Sequence, residues 1–215
     1  MQVLWDKYNE IDIYNIYGPK CLINTSSSSV SDIVSTHDSS QIKLQARNYG
    51  FRRMKRSIPG GYDPCYTAFT EEYFNRLDVQ IALHANTEGS QARKKWKSCS
   101  DPLFQTYNYN VFSVLPVYER LIKGGLKIWI FSGDADGRVP VIGTRYCIEA
   151  LNLTLKSPWH SWFHNQQVAG RVVEYEGLTF VTVRGAGHLV PLYKPSEGLA
   201  LIHSFLTGEQ LPAHR

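Results

Sequence analysis

The sequence predicts an α/β fold with a partly parallel sheet. Two apolar segments, Leu126–Phe131 and Leu178–Arg184, have the length and composition of buried strands. Each is followed by a glycine-containing turn and then by a helical pattern, Val141–Leu151 after the first and Pro195–Thr207 after the second. This alternation of strand and helix is typical of a sheet whose neighbouring strands run in the same direction.

The other elements are placed in chain order. Thr70–Arg76 and Asp78–Ala85 predict two short helices, the second with an acidic residue in its first turn. Tyr109–Lys123 has apolar residues near helical spacing, and a Gly-Gly pair ends it. Pro158–Gly170 is predicted to be an aromatic loop. The helix Pro195–Thr207 is expected to turn four residues inward, namely Leu199, Ile202, His203 and Leu206.

The turns after the two strands carry the side chains with catalytic chemistry. Asp134 and Asp136 follow the first strand, and His188 follows the second, between Gly185 and Gly187. The carboxyl ends of neighbouring parallel strands meet at one edge of a sheet, so the acids and the histidine are expected there together. An acid that precedes a histidine is the order of the last two members of one type of Ser-Asp-His triad.

The first member of such a triad, a serine nucleophile, has no candidate in the sequence. A strained nucleophile turn needs a glycine two residues before the serine and another two residues after it. Ser90, Ser113 and Ser132 lack that pair, and so does the Ser-rich stretch near Ser26. The nucleophile is therefore expected to lie on another chain or to be missing from this product.

Length and composition predict a globular chain with a substantial core. The chain has 215 residues, of which 43% are hydrophobic, and a net charge of +4. There is no run of about 18 apolar residues, so no membrane span is expected, and the N-terminus lacks the apolar segment of a secretory signal. The basic runs Arg52–Arg56 and Arg93–Lys97 are interpreted as solvated loops, so no nucleic-acid partner is expected. No metal and no other cofactor is expected.

Five segments of the chain occur in an order characteristic of one protein family. They are Ile11–Cys21, Gly61–Cys65, Asp78–Asn86, Phe131–Tyr146 and Thr179–Pro191. Together they resemble the C-terminal half of plant serine carboxypeptidase-like proteins. The resemblance implies the C-terminal part of an α/β-hydrolase fold, with a mixed, mostly parallel sheet flanked by helices, and residues 1–215 as one incomplete domain. In that family the nucleophile lies in a Gly-Glu-Ser-Tyr-Ala-Gly motif, which is absent here.

The resemblance assigns roles to the turn residues. Asp136 is the triad acid, which accepts a hydrogen bond from the imidazole, and His188 is the general base. Asp134 is instead expected to accept backbone N–H bonds and so fix the turn. Leu189, directly after the histidine, is expected to contact the substrate and to favour an apolar leaving residue.

The resemblance also implies the state of the cysteines. Cys21 pairs with Cys65 in a disulfide, and Cys99 is unpaired because its family partner lies in the N-terminal half. Cys147 is expected to be a buried thiol on a helix. The alternative of four reduced cysteines in a cytosolic protein remains open. The family's secretory route implies a secreted or vacuolar protein, and a homodimer, as in relatives, is a further expectation.

Residues 24–59 differ from the rest of the chain in composition. Eight serines occur between Ser26 and Ser40, and the stretch shows neither a helical nor a strand period. Such a segment buries too little apolar area to offset its ordering entropy, so a mobile excursion is expected. Its excision, which a subset of the family undergoes, and an uncut loop both remain open. Asn24 and Asn152 have the form of N-glycosylation acceptors.

Three functions remain open. The first is a serine carboxypeptidase that removes C-terminal residues from peptides through an acyl-enzyme; this chain would supply the acid and the base and would be inactive alone. The second is an acyltransferase of the same superfamily, which passes the acyl group to an alcohol. The third is a truncated, non-catalytic product. Gly133–Pro140 followed by Thr144–Tyr146 is more similar to the peptidase branch than to the acyltransferase branch.

Overall fold

The structure, a computed structural model, describes four parts of the chain: residues 11–19, 21, 62–85 and 95–215. The Ser-rich segment 24–59, with Asn24 and the basic run Arg52–Arg56, lies outside the described residues. The chain divides into two compact units. The larger unit contains the described residues 11–19, 62 and 110–215, and the smaller unit contains 21, 63–85 and 95–109.

The smaller unit is helical. Helix α1 spans Tyr66–Phe74, α2 spans Leu77–Ala82 and α3 spans Asp101–Thr106. The first helix begins earlier than predicted, because Asp63 Oδ1 accepts a hydrogen bond from the Cys65 N–H at 2.8 Å and turns the chain there. Both helices predicted in this region are therefore present, with shifted ends.

The larger unit is built on a four-stranded sheet. Its strands are β1 Ile128–Gly133, β2 Leu155–His164, β3 Gln167–Tyr175 and β4 Leu178–Val183. They lie in the order β1-β4-β3-β2. The β1–β4 pairing is parallel, and the other two pairings are antiparallel. The predicted mixed sheet is thus present, although one of its three described pairings is parallel rather than most of them, and β1 and β4 end at the same edge.

Helices cover this sheet at several points along the chain. They are α4 Leu115–Lys123, α5 Val141–Glu149, α6 Val190–Tyr193 and α7 Pro195–Thr207. The first begins later than predicted, because Pro116 in its first turn suits a helix start and disfavours helical backbone just before it. None of the helices in the described ranges is long and apolar enough to cross a membrane.

The hydrophobic core joins α5 to the sheet. Ile148 and Leu151 come from α5 and the turn after it, and Val173, Leu178 and Phe180 come from β3 and β4. The β1 side chains Ile128 and Ile130 pack against this cluster with residues of α4. Burial of several large aliphatic side chains, each worth about 1.5–3 kcal/mol, anchors the strands from which the two polar turns emerge.

The segment Pro158–Gly170 is not a loop, so that prediction is wrong. It forms most of β2 and the beginning of β3, which are joined by a two-residue turn. Asn165 and Gln166 in that turn have φ values of 46° and 62°, the left-handed pair that a tight hairpin requires. Trp162 is fully buried, and its Nε1–H donates to Thr182 O across the sheet at 3.0 Å. The aromatic residues of this segment therefore belong to a sheet.

The inward face predicted for α7 is also wrong. Leu199, Ile202, His203 and Leu206 are exposed. The helix instead buries Gly198, Leu201 and Ser204. Small side chains on the buried face let the helix approach its neighbours closely: a Cβ added at Gly198 would lie 3.2 Å from Pro191 Cα. Close backbone approach, rather than the larger apolar side chains, decides the orientation of this helix.

The cysteines divide into one bonded pair and two thiols. Cys21 and Cys65 form a disulfide with Cα atoms 4.8 Å apart. Cys99 and Cys147 are free and exposed. Cys147 does lie on α5, but the prediction that its thiol is buried is wrong, because it points away from the core formed by its neighbour Ile148.

Candidate active site

The turn after β1 holds Asp136 in a fixed position. Its side chain is only 5% exposed. One carboxylate oxygen, Oδ1, accepts the backbone N–H groups of Arg138 at 2.8 Å and Val139 at 3.1 Å. These bonds come from residues two and three positions further along the chain, as in an Asx turn. The acid is therefore oriented by its own turn, and its second oxygen, Oδ2, remains for another partner.

That partner is His188. Its ring nitrogen Nδ1 lies 2.8 Å from Asp136 Oδ2. An ionised carboxylate can only accept a hydrogen bond, so Nδ1 carries the proton and donates. Nε2 is then the nitrogen that can accept a proton from another group. The His188 side chain is 36% exposed, so the pair has a buried acid and an accessible base.

The two turns are also joined directly through Asp134. Its Oδ1 accepts the backbone N–H of Gly185 at 2.6 Å. The sequence predicted that Asp134 accepts backbone N–H bonds; the donor belongs to the histidine turn rather than to its own. Gly185 has a φ of 68°, in the left-handed region that favours glycine. Asp134 therefore ties the acid turn to the histidine turn.

A third segment, Ile11–Gly18, lies against both turns, and we call it the strap. The His188 N–H donates to Tyr14 O at 2.7 Å. On the acid side, the Ile16 N–H donates to Ala135 O at 3.0 Å, and the Gly137 N–H donates to Ile13 O at 2.9 Å. The sequence pattern of this segment predicted no role for it in the site. The one local signal was Asp12 before Tyr14, an Asx-turn pattern, with the Tyr14 N–H donating to Asp12 Oδ1 at 2.9 Å.

The Asp136–His188 pair opens into a groove of about 530 Å³ in the larger unit. The groove follows β1 and α5 and is mostly apolar, with Phe131, Thr144 and Cys147 among its lining residues. In the part of the chain that the structure describes, no strand pairs with the free edge of β1 beside it. An accessible imidazole at the end of such a groove can exchange a proton with a group placed there.

Two other residues, Leu189 and Asn152, were predicted to contact the substrate and to accept a glycan. Leu189 is 41% exposed directly after the histidine, at the start of α6. Asn152 is exposed, with a φ of 49° in the turn after α5. Substrate contact by Leu189 and glycosylation of Asn152 stay predictions. Within the described ranges, no three His, Cys, Asp or Glu side chains come together as a metal ion would require.

Comparison with known proteins places this geometry in a family. The family model for serine carboxypeptidases matches residues 1–208. The chain belongs to the serine carboxypeptidase family. It is 56% identical over 214 residues to serine carboxypeptidase-like 33 of Arabidopsis thaliana, across 99% of this chain and 43% of that protein. It is 54% identical over 215 residues to serine carboxypeptidase-like 26 of Oryza sativa subsp. japonica, across 100% of this chain and 42% of that protein.

The fold of this serine carboxypeptidase family member is confirmed by a solved structure. A prohormone-processing carboxypeptidase of Saccharomyces cerevisiae, Kex1(delta)p, matches with a TM-score of 0.57 and 21% identity, over 74% of this chain and 34% of that one. The α/β-hydrolase fold class predicted from the sequence is therefore correct. The chain spans less than half the length of the relatives it matches.

Proposed function

We propose that these 215 residues supply the acid and the base of a serine carboxypeptidase whose nucleophilic serine belongs to another segment. The observation that carries the proposal is the 2.8 Å contact between His188 Nδ1 and Asp136 Oδ2, at the ends of two neighbouring parallel strands. Family membership gives the reaction class. The exposed edge of the imidazole and the groove beside it give the serine a place to approach.

In this proposal His188 moves the proton in each half of the reaction. Nε2 takes the proton of the serine hydroxyl as the serine oxygen attacks the scissile carbonyl carbon, and Asp136 stabilises the imidazolium. The imidazolium then gives that proton to the leaving amine of the C-terminal residue, and the acyl-enzyme remains. A water molecule, deprotonated by the same nitrogen, then attacks the acyl carbon; its bond to the serine oxygen breaks, the imidazolium returns the proton to that oxygen, and the shortened peptide leaves. Leu189, beside the base, would contact the leaving residue.

The proposal includes a cellular setting. The disulfide between Cys21 and Cys65 requires an oxidising compartment to form and persist. A secreted or vacuolar location, as the sequence implies by family resemblance, meets that requirement. Protein produced in a reducing cytosol would be expected to lack the disulfide. Non-reducing peptide mapping of protein isolated from its native tissue shows whether the disulfide between Cys21 and Cys65 is present.

Labelling with a serine-directed fluorophosphonate tests the proposal. We expect no labelled residue in the 215-residue chain alone, because no serine has the glycines of a nucleophile turn. Co-expression with the part of serine carboxypeptidase-like 33 that this chain does not match should produce labelling of a serine in the added segment. That labelling should be lost in His188→Ala.

The matched control is His203→Ala, a substitution of an exposed histidine on α7, which should leave the labelling intact. Labelling of a defined serine of the isolated chain, or labelling of the completed protein that survives His188→Ala, would contradict the proposal. Peptide products decide the reaction class: release of free C-terminal residues supports hydrolysis, whereas acyl transfer to an added alcohol without hydrolysis opposes it.

A further inference from the structure

We infer that Asp12 and Tyr62 are positioning residues for His188, because they lock the strap between the two turns. The strap then determines where the imidazole lies relative to Asp136. The geometric part of this inference concerns the described residues alone, and only its consequence for catalysis rests on the proposed function. Asp12 is bonded to the strap backbone at Tyr14, Tyr62 is bonded to Asp12, and both act through the strap.

The strap is bonded to the histidine turn and to the acid turn at once. The backbone of His188 donates to Tyr14 O, and the acid turn exchanges hydrogen bonds with Ile13 and Ile16. The Tyr14 ring also lies against the His188 ring, with centroids 5.5 Å apart. A displacement of the strap therefore breaks bonds on both sides of the pair.

The strap backbone and the two turns are in close contact. A Cβ added at Gly187, directly before the histidine, would overlap Tyr14 O and lie 2.8 Å from Asn15 Cβ. On the acid side, a Cβ at Gly137 would lie 2.9 Å from Ile16 Cγ2. Glycine at both positions lets the strap backbone touch each turn. A displacement of the strap should therefore displace both turns.

Asp12 is the point at which the strap is locked. Its Oδ1 accepts the Tyr14 N–H at 2.9 Å, and its Oδ2 accepts the Tyr62 hydroxyl at 2.9 Å. Tyr62 is 4% exposed, and its ring packs on that of Tyr193 in α6, with centroids 4.5 Å apart. Because α6 follows the histidine turn directly, the lock connects the strap to the structure on both sides of His188.

The Tyr62 hydroxyl is suited to act as a permanent hydrogen-bond donor in this lock. Burial raises the pKa of Tyr62 well above its ordinary value, and hydrogen bonds with Tyr193 and Asp12 add to the shift. The hydroxyl thus keeps its proton and can donate to the carboxylate throughout the neutral range. Loss of a hydrogen bond to a charged acceptor is expected to shift a local opening equilibrium about ten- to a hundred-fold.

Hydrogen exchange of the backbone amides tests this inference without substrate. In Tyr62→Phe, which removes only the hydroxyl, the amides of His188 and Gly137 should exchange about tenfold faster, while amides in β3 and β4 keep their rates. Asp12→Asn, which changes the acceptor, should act on the same amides. Tyr146→Phe removes the hydroxyl of an exposed tyrosine on α5 and should change none of these rates.

Selective 15N-histidine NMR measures the tautomer of His188. The original chain should show the Nδ1–H form, and both variants should show an added Nε2–H population, a change that a general loss of stability would not produce. Unchanged His188 and Gly137 exchange in both variants would overturn the inference. Equal acceleration in β3 and β4 would also overturn it, because the residues would then be merely structural.

The catalytic consequence is measured separately in the completed protein. Tyr62→Phe should lower kcat about tenfold with little change in KM, since base geometry, not binding, is altered. If the completed protein has no peptidase activity, the proposed function fails while the exchange and tautomer results still decide the positioning role. If it is active and kcat is unchanged despite altered exchange, the catalytic consequence is refuted.

Discussion

The acid turn and the histidine turn reach the same site in different ways. The acid side chain is oriented locally: Asp136 is buried and its Oδ1 takes two N–H groups from its own turn, although the backbone of that turn is also bonded to the strap. The histidine turn relies on distant residues, because its backbone is held by Asp134 on one side and by Tyr14 on the other. The carboxylate of the pair is thus oriented by local bonds, whereas the backbone that carries the imidazole is held by long-range ones.

This difference predicts how each turn responds to substitution. A locally bonded turn loses stability when its own side chain is removed, because the backbone N–H groups lose their acceptor. A turn held by other segments tolerates loss of its exposed side chain but not intrusion into the contacts that hold its backbone.

Intrusion between the turns should have the largest effect. A Cβ at Gly133 would overlap the backbone oxygens of Ala186 and Gly187, so Gly133→Ala should lower the free energy of unfolding by about 3 kcal/mol. Gly143→Ala is the matched control: it meets open space within α5 and should raise that free energy by about 0.5–1 kcal/mol. Denaturant unfolding measures both. A Gly133→Ala chain as stable as the original would show that the turns are not in close contact.

Removal of the Asp136 or the His188 side chain should have the second-largest effect on the free energy of unfolding, and the effect should differ between the two turns. Asp136→Ala leaves the Arg138 and Val139 N–H groups without their acceptor, and we expect a loss of about 2–3 kcal/mol. His188→Ala removes a partly exposed ring but leaves Asp136 Oδ2 without this partner, and it should cost about 1–2 kcal/mol. Asp136→Asn, which keeps one acceptor oxygen, should fall between them. Equal losses for the two alanine variants would remove the contrast between the turns.

The hydrogen bond by which Asp134 joins the two turns should contribute less to the free energy of unfolding. Asp134 is exposed, so loss of its bond to the Gly185 N–H in Asp134→Ala should cost about 1 kcal/mol. Exchange of the Gly185 amide should accelerate in this variant, whereas Asp134→Asn, which retains an acceptor oxygen, should stay close to the original. No change at Gly185 in the alanine variant would mean that other contacts position the histidine turn.

The smallest effect should appear only at high pH. The folded chain holds the Tyr62 proton above the ordinary pKa of 10.0, while the unfolded chain releases it. Stability linked to Tyr62 is therefore complete below about pH 10 and falls as the pH rises further. Tyr62→Phe should flatten the alkaline loss of stability, and Tyr146→Phe should not. If the loss of stability at alkaline pH persists in Tyr62→Phe, groups other than Tyr62 cause it.

The local features of this site were predictable from the sequence and the distant ones were not. Asp136 and His188 follow strand patterns at motif positions, and the parallel β1–β4 pairing brings them together as expected. The strap was missed, because its hydrogen bonds join residues that are far apart in the chain and leave no periodic pattern. The lock between Asp12 and Tyr62 also leaves no pattern, because these residues are 50 positions apart.

Two errors in the fold have local causes. The hairpin between β2 and β3 turns on Asn165 and Gln166, and Gln lacks the preference for left-handed backbone that makes an Asn-Gly pair recognisable. The buried face of α7 depends on Gly198 and Ser204, whereas a pattern of large apolar residues predicts the opposite face. In both places backbone geometry outweighs side-chain hydrophobicity.

The position of the strap in the chain has a consequence for biosynthesis. The ribosome makes Ile11–Gly18 before the two turns that bind it, and His188 is the last of its hydrogen-bond partners to emerge. Contacts between such distant segments form slowly, because a long loop must close before any bond stabilises it. The contact between Asp136 and His188 should therefore reach its final geometry late in the folding of the larger unit.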